Sequence, residues 1–364
     1  MTKKIVLTGG GSAGHVAVNL ALIPVLQADG WEISYIGSEK GIENDLIADF
    51  PEVPFYAIST GKLRRVMNFS SIRENIKDSG RFLKGIGQAR RLLKDLRPDV
   101  IFSKGGFVSV PVVIAGWQLG IPVIAHESDV TPGLANRMSF PFIREIMLTF
   151  EKTVNYVPAK KAHYIGPILR DSIRNGSREE GLIRYGLDGK KPILLILGGS
   201  LGAASLNRAV WNNLDALLER FDIVHGVGAG KGDSSLVRPG YIQLDYIKAG
   251  MADTLAMSDL ILSRAGSNAI FEFLYYRKPM ILAPYIVGSR GDQVINAEEF
   301  RKAGYAEVWN DQTMTETQLM ELIDQVMRNP GKYTEASRGF VFRNGLQEIL
   351  QTLELARKRK ARRA

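Results

Sequence analysis

The stretch KIVLTGGGSAG (Lys4–Gly14) decides the fold, because it returns in altered form as KPILLILGGSLGA (Lys191–Ala203). Each copy opens on a charged residue, runs through a short apolar segment and stops at glycines joined to a small hydroxyl residue. An apolar run of this length bounded by glycine reads as a strand buried on both faces, and such strands belong to parallel sheets covered by helices. The residues after each glycine turn carry a helical pattern: HVAVNLALIPVLQADG (His15–Gly30) in the first copy, LGAASLNRAVWNNLDALLERF (Leu201–Phe221) in the second.

Working outward, WEISYIGS (Trp31–Ser38), PDVIFSKGG (Pro98–Gly106) and IPVIAHES (Ile121–Ser128) extend the first half as strands. DIVHGVG (Asp222–Gly228), YIQLDYI (Tyr241–Ile247), DLILSRAG (Asp259–Gly266) and PMILAPY (Pro279–Tyr285) extend the second. The apolar pattern lapses between them, near Gly166-Pro167 and RDSIRNGSREEG (Arg170–Gly181). A chain of 364 residues suits two domains of roughly 150–200 residues. The expectation is α/β: two Rossmann-like, doubly wound domains facing across a cleft, which is the GT-B architecture. The boundaries expected are 1–164, 165–342, and a helix with a basic tail, 343–364, returning to the first domain.

Composition removes several classes of function. Apolar residues make up 45% and charged residues 23%, a globular balance, and the absence of cysteine excludes disulfides, thiolate metal sites and a Cys nucleophile. The start MTKKIVLTGGG lacks a signal-peptide core, and the longest apolar stretch, Pro111–Ala125, is broken by Gly and Pro. The formal charge of +9 is partly held in the tail ARKRKARRA (Ala356–Ala364). A basic tail reads as a solvated end or as a contact for anionic lipid; no aromatic-interleaved basic motif supports nucleic acid.

Gly9, Gly11 and Gly14 match G-x-G-x-x-G directly after a strand, with Glu39 placed where a ribose-binding acid would follow, so a dinucleotide site is one reading. Against it stand His15 in the first helical turn, the repeated glycine turn, and a third anion-suited turn at RAGSNAIFE (Arg264–Glu272). There Ser267 and Asn268 open a helix whose amides suit a diphosphate, and Glu272 suits ribose hydroxyls; a plain capping arrangement is the alternative. Asp292, Gln293 and Asn296 open another helix and offer both donors and acceptors to a sugar.

Taken together, GGGSAGH, SKGGFVSVPVV, HESDVTPGLANR, IGPILR, LGGSLGA, SRAGSNAIFE and SRGDQVINA resemble the MurG family in order and spacing, from Lys4 to about Arg343. That family comprises undecaprenyldiphospho-muramoylpentapeptide β-N-acetylglucosaminyltransferases. The resemblance implies a metal-independent, cofactor-free, inverting enzyme that moves GlcNAc from UDP-GlcNAc to the muramic acid 4-hydroxyl of lipid I, giving lipid II in peptidoglycan synthesis. It implies that Ser12, Ala13 and Gly14 touch the donor's GlcNAc and phosphates, that Arg170 contacts phosphate or nucleotide, and that Ser200 contacts the diphosphate. The backbone of Ile247 would read uracil. Ser267, Asn268, Ala269, Ile270 and Phe271 would cradle the diphosphate, Glu272 would hold the ribose, and Asp292 and Gln293 the GlcNAc.

Inversion needs a base for the acceptor hydroxyl. His15 is the first candidate, with a rival role as hydrogen-bond donor to the phosphate or loop; Glu127 is the second. His126, His163 and His225 are read as structural. Where the family has a Pro after its G-H-V pattern this chain has Ala17-Val18, which leaves two further readings open. One is a GT-B transferase with another lipid acceptor, the other a non-catalytic UDP-sugar-binding paralogue.

Between Gly61 and Arg97, Lys62, Arg64, Arg65, Lys84, Arg90 and Arg91 mix with Met67, Phe69, Ile72, Ile76, Phe82 and Leu83. This segment reads as a surface for an anionic membrane or as a helix packed on its own domain; Trp117 would extend the apolar patch. The expected place is the cytoplasmic face of the cell membrane, peripherally bound, with cell-wall assembly proteins as further partners.

Overall fold

The computed structural model describes residues 2–61, 69–199, 202–247, 249–286 and 291–361. The chain forms two compact units, Met1–Ile168 with Arg343–Ala364, and Leu169–Phe342. The first crossing falls at Ile168 rather than Tyr164, because Ile165 lies in the first unit's core and Ile168 packs against it.

In the first unit, β1 (Lys3–Thr8), β2 (Trp31–Ser38), β3 (Phe55–Ile58), β4 (Val100–Ser103), β5 (Val123–Glu127), β6 (Glu145–Leu148) and β7 (Ala162–Tyr164) form one sheet. Its order is β3-β2-β1-β4-β5-β6-β7, and every pairing is parallel. The second unit contributes β8 (Ile193–Leu197), β9 (Asp222–Gly226), β10 (Tyr241–Leu244), β11 (Leu260–Ser263), β12 (Met280–Leu282) and β13 (Ala306–Val308). Their order, β10-β9-β8-β11-β12-β13, repeats that of the first six strands, again all parallel. Each unit is therefore a doubly wound Rossmann-like sheet whose order reverses beside its first strand. Ligands of such sheets bind outside the carboxyl ends of the strands at that reversal, where both glycine turns lie.

The helix Ala13–Ala28 covers β1 and ends at Gly30, whose φ of 75° takes the left-handed turn that stops a helix. The pattern from Leu201 to Phe221 divides into two helices, Ala204–Asn212 and Leu214–Leu218. Asn213 breaks it by donating its side-chain amide to Ala209 O at 2.9 Å, the local competition that asparagine offers a helix. The C-terminal helix Gly345–Ala361 places Leu346, Ile349, Leu353 and Ala356 in the same core as Ile5, Leu22 and Trp31. Among the described residues, no helix is long and apolar enough to cross a membrane.

Candidate active site

At the carboxyl end of the first sheet the glycine turn after β1 lies against the turn after β4. Gly10 N–H donates to Gly105 O at 3.3 Å, and a Cβ on Gly106 would come within 2.1 Å of Gly10 O. With φ at 83°, that position takes glycine alone without strain. Ser12 is the N-cap of the following helix, but its hydroxyl lies 3.1 Å from His15 Nδ1 instead of capping. Nδ1 also lies 3.2 Å from the Gly10 carbonyl oxygen. A carbonyl can only accept, so Nδ1 carries the hydrogen and Nε2 is the basic nitrogen of the half-buried ring. The helix begins at Ala13, two residues before the start expected at His15, so Ala13 and Gly14 are its first residues. Glu39 does not reach this loop; Glu43, four residues on, does, accepting Gly11 N–H at 3.0 Å.

Glu127, at the end of β5, is 4% exposed. Its Oε1 accepts the Ser128 and Asp129 N–H groups at 2.9 and 3.1 Å, and its Oε2 accepts Gly133 N–H and Asn136 Nδ2 at 2.8 and 2.9 Å. Four N–H donors fill the lone pairs of both oxygens. These contacts tie the carboxylate to the 128–133 loop. Burial and Asp129 push its carboxyl up, while Lys104, Asn136 and Gly133 pull it down. Lys104 itself is 2% exposed and donates to Ser128 Oγ, a buried cation under the same loop.

His126 is fully buried and its Nε2 lies 3.4 Å from Thr149 Oγ; burial drives its imidazole well below the ordinary range, fitting a structural group. His225 is held between Tyr241 OH at 2.9 Å and Asn207 Oδ1 at 3.1 Å, and burial takes it down to about 3. His163 is exposed and lies 3.3 Å from Glu145.

In the second unit the helix Ser267–Tyr275 follows β11. Its N-cap is Gly266, which brings no capping side chain, and its first intrahelical bond runs from Ile270 N–H to Gly266 O at 3.1 Å. A helix start of this kind suits an anion. Ser267 is largely buried at the opening. The side chains of Ile270 and Phe271 are buried, Phe271 packing edge-on against Phe300 at 5.1 Å. Asn268 and Ala269 remain in the first turn.

Glu272, one turn in and 7% exposed, accepts from Arg170 Nε at 3.0 Å and Nη2 at 2.7 Å, both on Oε1. Burial raises its carboxyl and Arg170 opposes the shift. Gln293, near the start of the helix Asp292–Lys302, accepts Ala265 N–H at 3.2 Å and Tyr285 N–H at 2.9 Å through Oε1. It thus ties together the turns after β11 and β12. Its amide nitrogen is the donor that side chain has left to offer a ligand. Asp292 opens that helix behind Gly291. Ile247 is buried at 4% exposure, and Ser200 lies outside the described residues.

One residue that sequence reasoning passed over knits this site. Arg264 donates to Ala283 O at 2.9 Å and to Ser205 Oγ at 2.9 Å, pairs with Asp311 at 2.9 Å, and lies over the Tyr285 ring at 5.8 Å. Its signal in sequence is only an arginine at a strand end before Ala-Gly.

Two repeated doubly wound units, with an uncapped helix start and an Arg–Glu pair at the switch point of the second, define a two-domain glycosyltransferase of the GT-B class. Residues 5–148 match the glycosyltransferase family 28 N-terminal domain, and residues 193–353 match the family 28 C-terminal domain. The chain is 48% identical to a UDP-N-acetylglucosamine–N-acetylmuramyl-(pentapeptide) pyrophosphoryl-undecaprenol N-acetylglucosamine transferase of Geobacillus thermodenitrificans, over 97% of this chain and 98% of that one. It is 46% identical to a Bacillus cereus enzyme of the same description, over 97% and 100% of the two chains. The solved structure of Acinetobacter baumannii MurG superposes with a TM-score of 0.76 at 26% identity, covering 97% of this chain and 99% of that one. The chain belongs to glycosyltransferase family 28 and, within it, to the MurG family.

Proposed function

We infer that the chain transfers N-acetylglucosamine from UDP-GlcNAc to the muramic acid 4-hydroxyl of undecaprenyl-linked lipid I, forming lipid II with inversion. The observation that carries this reading is its near-full-length likeness to relatives bearing that activity. The site geometry supports it. In one displacement the acceptor oxygen bonds to the anomeric carbon as the bond to UDP breaks. His15 Nε2 takes the hydroxyl proton, since Nδ1–H is committed to Gly10. The amides at Ser267–Ala269 meet the charge gathering on the departing diphosphate. Glu272, fixed by Arg170 at one oxygen, receives the ribose hydroxyls at the other. Asp292 and the Gln293 amide nitrogen bind GlcNAc; Ser12, Ala13, Gly14, Arg170 and Ser200 contact GlcNAc or phosphate, and the Ile247 backbone reads uracil.

The first unit carries the acceptor role and lies on the anionic cytoplasmic face of the membrane. Leu83 is 68% exposed and Trp117 56%, and Arg81, Lys84, Arg90 and Arg91 are exposed along the helix Phe69–Leu96. Apolar and basic side chains side by side on a surface suit the headgroup layer. Lys62, Arg64, Arg65 and Met67 lie outside the described residues, as do the side chains of Phe69, Ile72 and Ile76.

The test is transfer of label from UDP-GlcNAc to a lipid I analogue with EDTA present. Product formation supports the assignment. A protein that binds UDP-GlcNAc yet forms no product with lipid I sinks it.

A further inference from the structure

The first glycine loop rests on a carboxylate that has no part in the reading above. Glu43, in the short helix Ile42–Ile47, is fully buried. Its Oε2 accepts Gly11 N–H at 3.0 Å; its Oε1 accepts Ser38 N–H at 3.0 Å and the Ser38 hydroxyl. The surrounding backbone leaves room for that group and nothing more. A Cβ on Gly10 would lie 2.3 Å from the Glu43 carboxyl carbon, and one on Gly41 would lie 2.2 Å from its oxygens. The Gly10 carbonyl in turn faces His15 Nδ1. Contacts therefore run without a gap from Glu43 through Gly11 and Gly10 to the imidazole.

A buried carboxylate is costly unless donors satisfy it, and packing alone would be served better by an apolar side chain. In a dinucleotide-binding loop the amides after the first strand point at a phosphate. Here a protein anion takes the Gly11 amide. That gives a physical reason for the G-x-G-x-x-G match to occur without a dinucleotide site.

We propose that Glu43 is a positioning residue for glycosyl transfer: its carboxylate fixes Gly10–Gly11 so that His15 is presented in one tautomer and one orientation. The proposal rests on the reading of His15 as the base. Both carboxylate oxygens accept N–H groups, so in Glu43→Gln the new NH₂ must face Gly11 N–H or Ser38 N–H, donor against donor. Glu43→Asp keeps the charge and withdraws it by about 1.5 Å, one carbon–carbon bond.

The experiment compares both variants with wild type in the full chain. Histidine ring nitrogens are read by NMR, His15→Ala assigning the His15 signals and buried His126 reporting on the fold of the first unit. We expect the distinct His15 Nδ1 and Nε2 signals to move toward an averaged position in Glu43→Gln while those of His126 stay. The kcat should fall about 10–100-fold and the KM for UDP-GlcNAc should change by less than about threefold. Unmoved His15 signals in both variants overturn the proposal, whatever the kinetics. If Glu43→Gln also loses the His126 signals, Glu43→Asp decides alone by the same criterion. Full kcat in His15→Ala overturns the base role and the catalytic half of the proposal, whereas the spectra judge the positioning half separately.

Discussion

Arg170 grips a single oxygen of Glu272 with two of its nitrogens, at 3.0 and 2.7 Å, within the second unit. The grip orients a buried carboxyl whose pKa burial raises, Arg170 opposing that shift. Replacing Glu272 by Gln removes the charged acceptor proposed for the ribose hydroxyls, so UDP affinity should fall about 10–100-fold, as for lost hydrogen bonds to a charged group.

The same substitution should not cost stability at neutral pH. A carboxyl raised in the fold contributes stability that is fully present below its ordinary value near 4.5 and lost as pH rises through the raised one. Glutamine has no such dependence. The melting temperature of Glu272→Gln relative to wild type should therefore climb between pH 4 and pH 8. A difference that stays flat or declines over that range would contradict the placement of Glu272.

His15→Ala removes only the group proposed to take the proton. The expected result is a kcat lower by about 10²–10⁴-fold. UDP binding, measured by calorimetry, should change by less than about threefold, because the contacts proposed for uracil, ribose and the diphosphate cradle belong to the second unit. A variant that loses UDP affinity in proportion to kcat would argue for the rival role, a donor to the phosphate.

Glu127 should behave differently, because four N–H donors hold its carboxylate. In Glu127→Gln one acceptor oxygen becomes an NH₂ facing two N–H donors, either Ser128 and Asp129 or Gly133 and Asn136. Lys104 beneath the loop loses its compensating charge. The cost is about 2–4 kcal/mol. Activity and thermal stability should fall together, in contrast to His15→Ala; an inactive variant melting like wild type would favour Glu127 as the base.

Both sheets and both glycine turns were legible in the chain because each is a local pattern, an apolar run closed by glycine. What escaped are contacts set by tertiary distance. Glu39 follows β2 where a dinucleotide site would place its ribose-binding acid, yet the acid that meets the first loop is Glu43, since the turn into the helix Ile42–Ile47 swings that side chain under Gly10. Arg264 follows β11 and Asp311 follows β13, and the two meet because β12 pairs with both strands. Glu127 looked available beside its strand end, and its four donors come from a loop whose path no periodicity reveals. Ile270 and Phe271 sat inside a recognisable motif, but motif spacing does not say which face of the helix meets the core.

The His225 network makes stability depend on pH in a predictable direction. Asn207 Oδ1 can only accept, so His225 Nε2–H donates to it and Nδ1 of the neutral ring accepts from Tyr241 OH, which itself accepts from Trp211 Nε1 at 2.8 Å. The folded ring stays neutral down to about 3. Between 6.5 and that value the unfolded chain binds a proton that the fold refuses, so stability falls as pH drops, by up to about 1.4 kcal/mol per unit. His126, depressed in the same direction, adds to the slope. Denaturant titrations at pH 7, 6 and 5 should show a gentler decline for His225→Asn than for wild type; equal slopes would refute the assignment.

Membrane binding should depend on the exposed face around Leu83 and Trp117. Charge reversal at Lys84 and Arg91 weakens attraction to anionic lipid, each lost basic residue being worth about 1 kcal/mol, or roughly fivefold in affinity. Leu83→Glu adds the loss of an apolar contact. All three positions are exposed or at an exposed edge of the helix Phe69–Leu96, so stability in solution should stay within about 0.5 kcal/mol. Co-sedimentation with vesicles containing phosphatidylglycerol should fall in these variants, and wild-type binding should weaken as salt rises. Transfer to a water-soluble acceptor analogue should be untouched, because the substitutions lie outside the proposed chemistry, while transfer to an acceptor embedded in the same vesicles should drop in parallel with binding. Variants that bind vesicles as wild type does would move the membrane contact elsewhere on the chain.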